Sequence, residues 1–354
     1  MATVEATRSS QPRWSPSRLS RGDRVRLVVI AALLLFILIA LPDLLSTYWL
    51  KVLTEVAIYS IVCLSLGVLM GRVGLVSLGQ IAVLAIGAWV AARLLFATSL
   101  PFPIVLLLSG VITMVIGTIV GLPALRVSGL YLALITLMLA GAISVVLATT
   151  DFPNGAGGFL GHTESTVGGH AVRRPALGES DSAFFRYAVI VAASMFLLAL
   201  WHVRSKAGRA WESIRQSEPA ALAAGVNMTL YKLWAFALAS FMTGVAGGLL
   251  AADVGSLFSY SFPTRENIVL LAVVLMGGIY SLWGAVVAGI FYKYLPALLD
   301  SWNLPADLLT ILFGVGVLQV LLTAPAGIVD QFPKDMARLG RLIKRGVTAG
   351  RKRG

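Results

Sequence analysis

The amino-acid sequence predicts an all-α polytopic membrane protein, a bundle of about eight to ten transmembrane helices. Hydrophobic residues make up 58% of the 354 residues and charged residues only 12%, with a mean hydropathy of +0.88. Soluble domains carry about 25% charged residues. The apolar residues also form long continuous runs, whereas the strands of a membrane barrel are short and alternate. The composition and the run lengths therefore exclude a soluble protein and a barrel.

The apolar segments give ten spans when the longest of them is divided. That stretch, 267–299, is too long for one helix of roughly 20 residues and is interrupted by Gly277, Gly278 and Gly284, so we predict two segments within it. The other predicted spans cover residues 27–45, 52–70, 81–97, 101–121, 130–148, 184–203, 233–254 and 306–322. If the glycine-broken segments re-enter the membrane instead of crossing it, the bundle has eight spans.

The distribution of charge predicts the side of the membrane on which each loop lies. Basic residues mark the cytoplasmic side, and they are concentrated in a disordered N-terminal arm (1–24), a central loop (204–232) and a C-terminal tail (326–354). The loop 149–182 has four acidic and two basic residues and is expected outside. Both termini are then cytoplasmic, and the membrane domain covers residues 25–325. The net charge of +12 thus reflects topology and not nucleic-acid binding.

The central loop 204–232 contains the clearest functional pattern. Pro219 follows Glu218, which suits the first turn of a helix. The Ala-rich stretch behind it stops at Gly225, a good helix terminator. The pattern predicts a short helix, a break and a second short helix on the cytoplasmic face. A loop that only joins two spans needs no such structure, whereas a docking element for a cytoplasmic partner does.

Glycine-containing stretches interrupt the apolar segments at two places. Ser77-Leu78-Gly79 precedes one small-residue helix and Ser281-Leu282-Trp283-Gly284 precedes another, which is compatible with an internal repeat of the kind many transporters contain. Residues 71–79 are either a plain loop or a broken helix lining a pathway, since irregular backbone is tolerated at membrane depth beside a cavity. In the second case, their amides and carbonyls would face a zwitterionic solute.

Small residues four apart recur on several predicted helices. Such pairs let helix backbones approach closely in lipid, so they favour packing within the bundle. The alternative is that some of them line a central pathway, which larger side chains would block. The pairs are Gly67 with Gly71, Gly117 with Gly121, Gly244 with Gly248, and Gly284 with Ala288. Two charged residues within or near spans, Glu55 and Arg93, are either functional or reach the membrane interface by snorkelling.

Taken in order, these motifs resemble the permease subunits of bacterial branched-chain amino-acid ABC transporters. The central loop resembles the family's cytoplasmic Glu-Ala-Ala-type element. The similarity extends over roughly residues 50–325. The matching positions are Glu218, Ala220, Ala221 and Gly225 in the loop, Gly74 to Gln80 (with Gln80 where His is common), Gly121 to Tyr131, and Gly277-Gly278 followed by Ser281 to Gly284.

The resemblance implies a transport subunit and not an enzyme, with ATP hydrolysed on a separate subunit. The implied partners are ABC ATPase subunits, a second homologous or identical permease, an extracytoplasmic solute-binding protein and membrane lipid, with no nucleic acid and no cofactor. The implied solutes are branched-chain amino acids, or a related small solute such as urea or other amides, carried across the bacterial plasma (inner) membrane.

The resemblance also assigns candidate residues. The ATPase-coupling residues are Gly208, Arg209, Glu218, Ala220, Ala221 and Gly225. The candidate translocation pathway comprises Gly74, Ser77, Gly79, Gln80, Gly277, Gly278, Ser281 and Gly284. Arg126 is expected either to anchor the topology at the membrane edge or to shape the cytoplasmic gate.

Two other functions fit the sequence less well than an importer. An ion-coupled secondary transporter would need membrane-embedded charges in a connected path, and the sequence has few. A polytopic membrane enzyme would need clustered His, Asp or Glu at a membrane face, and the three histidines are scattered. No lysine follows a glycine, so the chain has no Gly-Lys-Ser/Thr phosphate-binding loop of its own.

Overall fold

A computed structural model of the protein describes residues 21–124, 129–149, 180–255 and 261–302, with isolated positions between 311 and 329. The described residues form helices and joining segments, with no strand among them, which confirms the all-α prediction. The chain divides into two units, residues 1–45 and 46–354. The basic tail and outer loop lie almost wholly outside the described residues, as does Arg126.

The first unit contains α1 (Arg21–Ile39) and a single turn, α2 (Leu41–Leu44). The helix α1 begins inside the range expected to be a disordered arm, and residues 1–20 of that arm lie outside the described residues. Pro42 stands in the first turn of α2, where its missing amide hydrogen costs no helical hydrogen bond.

The second unit contains the remaining described helices, and all of them except α8 and α9 overlap the predicted spans up to residue 299. They are α3 (Thr47–Gly67), α4 (Gln80–Ala97), α5 (Phe102–Ala124), α6 (Leu130–Thr149), α7 (Asp181–Arg204), α8 (Lys206–Gln216), α9 (Glu218–Ala223), α10 (Met228–Val254), α11 (Glu266–Gly277), α12 (Leu282–Gly289) and α13 (Leu295–Ser301). Two π-helical turns continue α3 and join α12 to α13, and they are Val68–Val73 and Ile290–Tyr294.

Among the described residues, five helical segments are long and apolar enough to cross a membrane. They are Thr47–Val73, Phe102–Ile119, Asp181–Arg204, Met228–Val254 and Leu282–Ser301. Three shorter apolar helices accompany them. The polytopic prediction is therefore confirmed, and the choice between eight and ten spans stays a prediction because the expected last span, 306–322, is mostly undescribed.

The predicted division of the stretch 267–299 is confirmed. The helix α11 ends at Gly277, and Gly278 adopts φ +113°, a conformation that residues with a side chain rarely adopt. The next helix, α12, begins at Leu282. With 12 residues, α11 is about 18 Å long, whereas the hydrocarbon layer is about 30 Å thick. This helix therefore covers only part of the membrane.

The helix α10 lies at the centre of the second unit, and 94% of its 18-residue apolar stretch is buried. Glycines bring α4 and α5 against it. A Cβ on Gly87 would lie 2.6 Å from the Gly244 Cα, and a Cβ on Gly247 would lie 2.4 Å from the Leu84 carbonyl oxygen. Ser109 on α5 adds hydrogen bonds to the carbonyls of Gly87 (2.8 Å) and Gly244 (3.0 Å). At this crossing the small residues serve close packing.

Candidate functional site

The central loop forms the two predicted helices, α8 and α9. Ser217 caps α9 by accepting a hydrogen bond from the Ala220 amide (3.4 Å), and Pro219 stands in the first turn. The helix stops at Gly225, whose φ of +79° lets the following Val226 amide donate to the Ala221 carbonyl (3.0 Å). The glycine at this position is thus explained by the end of the helix.

Buried aromatic packing fixes α8 against the bundle. Trp211 is fully buried, and its Nε1 donates to the Tyr231 carbonyl of α10 at 2.8 Å. The ring of His202, at the end of α7, lies 6.5 Å from Trp211 and nearly parallel to it. At the α7–α8 corner, a Cβ on Gly208 would lie within 1.9 Å of the Val203 carbonyl oxygen, so only glycine fits. Gly208 therefore has a structural role, whereas Arg209 is exposed.

Replacing Trp211 with alanine is expected to destabilise the protein by about 3–5 kcal/mol, the cost of truncating a buried tryptophan. The change also leaves the Tyr231 carbonyl without its donor. Thermal unfolding of the purified protein in detergent measures the effect. Trp201→Ala is the matched control, because this tryptophan on α7 is 68% exposed. Equal unfolding temperatures for the two variants would contradict the prediction.

Glu218 forms an ion pair inside the chain. Its Oε1 lies 2.7 Å from Nζ of Lys232 on α10, and the exposed fractions of the two side chains are 46% and 7%. Since a buried lysine without a counter-ion is costly, Glu218 stabilises Lys232 and ties α9 to α10. The sequence pattern predicted a role for Glu218 but not for Lys232. Two residues that lie fourteen positions apart across a helix break form no recognisable local pattern.

The opposite side of α9 is exposed and made of small and apolar residues. Ala221 faces the bundle at 1% exposure, whereas Ala220 is exposed and Leu222 is 59% exposed. Leu230, in the first turn of α10, is 58% exposed beside the loop. We call Pro219, Ala220, Leu222 and Leu230 the outer α9 face. Of the predicted coupling residues, only Arg209, Glu218, Ala220 and Gly225 are exposed.

Two helix breaks pack against each other at the end of the bundle that carries α8. The first break is the predicted interruption 71–79, of which residues 71–73 end the π-helical turn Val68–Val73 and residues 74–79 are not helical. The second break is residues 278–281. A Cβ on Gly71 would lie 1.9 Å from the Ile279 carbonyl oxygen, so the two backbones touch. Arg72 Nη2 donates to the Tyr280 carbonyl at 2.8 Å. The two predicted interruptions therefore form one contact.

Arg215 connects α8 to both breaks. Its side-chain Cγ would lie 3.4 Å from a Cβ on Gly74, which has φ +84°, and its guanidinium carbon is 5.1 Å from the Tyr280 ring centroid. Glu212 holds the guanidinium at 2.7 Å, and this hydrogen bond lowers the pKa of the Glu212 carboxyl. Sequence analysis missed Arg72, Arg215 and Tyr280, because residues so far apart in the chain give no local signal.

The first break ends in a buried polar cluster. Gln80 is 3% exposed, and its Oε1 accepts hydrogen bonds from Thr243 on α10 (3.0 Å) and Ser65 on α3 (3.4 Å). Side chains from other helices also satisfy the amides at the start of α4. Thr136 Oγ1 accepts from Leu78 N, and Asn267 Oδ1 from Ile81 N, each at 2.9 Å. The break is thus held in place from four helices.

The predicted pathway residues fall into two groups. Ser77, Gly79 and Gln80 line a cavity of about 30 Å³ together with Thr136 and Ser240. This cavity has room for one or two water molecules. The glycines within and beside the second break, Gly277, Gly278 and Gly284, instead pack tightly. A Cβ on Gly277 would lie 2.3 Å from the Gly284 carbonyl oxygen, and one on Gly284 would lie 2.0 Å from that of Gly278. Ser281 and Gly278 line a second cavity of about 10 Å³, and Gly74 contacts α8.

The chain matches one protein family and two curated relatives. Residues 48–321 match the family described as the branched-chain amino acid transport system permease component. The high-affinity branched-chain amino acid transport system permease protein LivM of Salmonella typhimurium is 30% identical over 302 residues, covering 80% of this chain and 71% of the relative. LivM of Escherichia coli K12 matches to the same extent. No solved structure matches.

Within the described residues, no group of three His, Cys, Asp or Glu side chains is arranged to hold a metal ion. The matches name transport permeases, and the described spans are those of a multi-pass membrane protein. The chain is a transporter component and not an enzyme, and it belongs to the branched-chain amino-acid transport permease family.

Proposed function

We propose that this chain is one of two membrane subunits of an ABC importer that carries branched-chain amino acids across the bacterial inner membrane. Separate ATPase subunits supply the energy, a second homologous or identical permease completes the pore, and an extracytoplasmic binding protein delivers the solute. The observation that supports this most strongly is the helix pair α8–α9, a rigidly packed element that ends in an unpartnered outer face.

The outer α9 face is the proposed contact for the ATPase subunit. Its exposed leucines and short side chains suit a helix lying in a groove of a partner. The Glu218–Lys232 ion pair and the buried Trp211 hold this face on α10. A partner that moves α9 would therefore move the central helix of the bundle as well. Both termini are cytoplasmic in this orientation.

The two helix breaks are the proposed moving part of the pathway. Arg215 contacts both of them, so a displacement of α8 reaches Gly74 and Tyr280 together. The solute would pass the first break, where Ser77, Gly79 and Gln80 line a cavity. The cavity of about 30 Å³ at Gln80 is too small for an amino acid, so these residues would have to move apart for a solute to pass.

Replacing Glu218 and Gly225 together, as Glu218→Ala with Gly225→Val, is expected to abolish uptake and solute-stimulated ATP hydrolysis while the protein still inserts. The first change frees Lys232, and the second strains a backbone at φ +79°. The measurements are leucine uptake and ATPase activity of the complete importer in proteoliposomes. Lys206→Ala is the control, because Lys206 is exposed on α8 away from these contacts.

Normal uptake by the double variant would show that the loop is not the coupling element. Co-purification of an ATPase with the tagged chain is expected, and transport by the chain alone in liposomes would instead favour an ion-coupled transporter. Leucine, isoleucine and valine are expected to compete with one another for uptake. If only urea or other amides compete for uptake, the chain is still an importer subunit, but its solute is an amide and not a branched-chain amino acid.

A further inference from the structure

A separate cluster of charged and aromatic residues lies between α3 and the second π-helical turn. Glu55 Oε2 is 2.7 Å from Lys293 Nζ, and about 30% of each side chain is exposed (32% and 28%). The neighbouring Tyr292 hydroxyl donates to Glu266, at the start of α11, at 2.5 Å. The two carboxylates and the ammonium thus come from three separate elements.

The ammonium of Lys293 is enclosed by aromatic faces. Its Nζ lies 4.5 Å from the ring centroid of Tyr59 and 5.8 Å from that of Tyr292, and the two rings are 4.8 Å apart. A cation within about 6 Å of a ring centroid is attracted by the ring quadrupole. A carboxylate beside two such rings has the chemistry of a receptor for a primary ammonium group.

Lysine snorkelling does not explain this arrangement. Tyr48 and Trp49 open α3, and Trp49 packs on Tyr294 at 5.3 Å, which marks the interfacial end of the segment. A snorkelling lysine extends its head toward that interface. The Lys293 head instead lies over Tyr59, which is about three turns into α3 and 7% exposed. The cluster therefore draws the ammonium inward.

The backbone around Lys293 is also unusual. Residues Ile290–Tyr294 form a π-helical turn, and such turns are inserted into α-helices frequently at functional sites. Charged groups within membrane segments are costly, and they commonly mark solute pathways. A charge pair that is about 30% exposed would be poorly stabilised by acyl chains, so it is expected to face water or protein in the assembled pore.

We propose that Glu55, Tyr59 and Tyr292 form a binding site for the α-ammonium group of the transported amino acid, which the Lys293 ammonium occupies in this structure. This inference rests on the proposed function, since it assigns the solute's amino group to a site on the same chain. The solute ammonium replaces that of Lys293 beside Glu55, and the released Lys293 pairs with the solute carboxylate.

The decisive variant removes both charges, as Glu55→Gln with Lys293→Met. Neither ion of the pair is left without the other, and Glu266 keeps the hydrogen bond from Tyr292, so the protein is expected to fold and to assemble with its partners. Leucine uptake by the complete importer should still fall by about tenfold or more, as expected for loss of a charge-assisted contact. Wild-type uptake by the double variant would overturn the proposal, because it would mean that the pair is structural only.

Direct binding gives a second measurement that does not depend on uptake. The importer without its binding protein is heated with isoamylamine, which has the amino group of leucine without the carboxylate, or with isocaproate, which has only the carboxylate. Isoamylamine should raise the unfolding temperature of the wild type and of Lys293→Met, and more in the variant, which lacks the internal competitor. It should have no effect on the double variant.

The outcomes separate this inference from the proposed function. If wild type carries leucine but isoamylamine stabilises neither it nor Lys293→Met, the ammonium site is wrong and the importer stands. If stabilisation by isoamylamine persists in the double variant, the amine binds elsewhere and the site is likewise wrong. If wild type carries no branched-chain amino acid, the proposed function itself fails.

Discussion

Replacing Tyr280 with alanine is expected to lower solute uptake strongly while the ATPase subunits remain bound. Tyr280 accepts the cation–π contact of Arg215 on α8, and its carbonyl accepts the hydrogen bond of Arg72 in the first break. Without the ring, displacement of α8 no longer reaches the second break. Coupling between two sites commonly corresponds to about 5- to 150-fold in affinity or population, so uptake should fall within that range.

The measurement is uptake and ATP hydrolysis by the complete importer in proteoliposomes. Hydrolysis should continue while uptake falls, which is the signature of uncoupling and not of misfolding. Ser213→Ala is the control on the same helix, since that hydroxyl only donates to the Ala210 carbonyl of α8. Arg215→Ala and Tyr280→Ala should be non-additive in combination, because each of them removes the contact between Arg215 and Tyr280. Additive losses would mean that the two residues act separately.

Replacing Gly244 with alanine is expected to destabilise the whole bundle. A Cβ at this position would lie 2.6 Å from Thr113 Cβ and 3.0 Å from the Ser109 carbonyl oxygen, so α5 would have to move away from α10. Overpacking of this kind costs about 1–3 kcal/mol, and more where backbone must shift. The yield of folded protein and its unfolding temperature in detergent should both fall.

Gly141→Ala is the matched comparison, because its expected change in unfolding temperature has the opposite sign. Gly141 lies inside α6, and a Cβ there would meet nothing within 4 Å. Alanine is favoured over glycine in a helix interior by about 1 kcal/mol, so this variant should unfold at an equal or higher temperature. If the two variants behave alike, the contact at Gly244 does not limit the packing of the bundle.

The local pattern of the sequence was sufficient for most of the fold. The apolar helices up to residue 299, the interruption at Gly278 and the two short helices of the central loop were predicted from apolar runs, glycine and proline. These features depend on neighbouring residues, because hydrophobic length, helix caps and positive-φ positions are local properties.

The contacts that give the candidate site its geometry were not predictable in this way. Arg215 meets Tyr280, Gln80 meets Thr243 and Glu55 meets Lys293 across separations of 65 residues or more. A single amino-acid sequence, without an alignment of homologues, gives no signal for such distant pairs. Gly277 and Gly284, which were predicted for the pathway, also lie at close backbone contacts. A glycine that lets two backbones touch cannot be told by its identity from one that clears a passage.

The short length of α11 has a consequence for the face of the membrane opposite α8. The 12-residue helix spans about 18 Å, so roughly 12 Å of a 30 Å hydrocarbon layer remains for residues 261–265 and their neighbours. Backbone amides and carbonyls in an irregular segment cannot face acyl chains. Phe262 is accordingly 4% exposed. Residues 261–265 are therefore expected to be shielded from acyl chains by other protein segments or by water, so the short helix α11 is never continued by bare backbone in lipid.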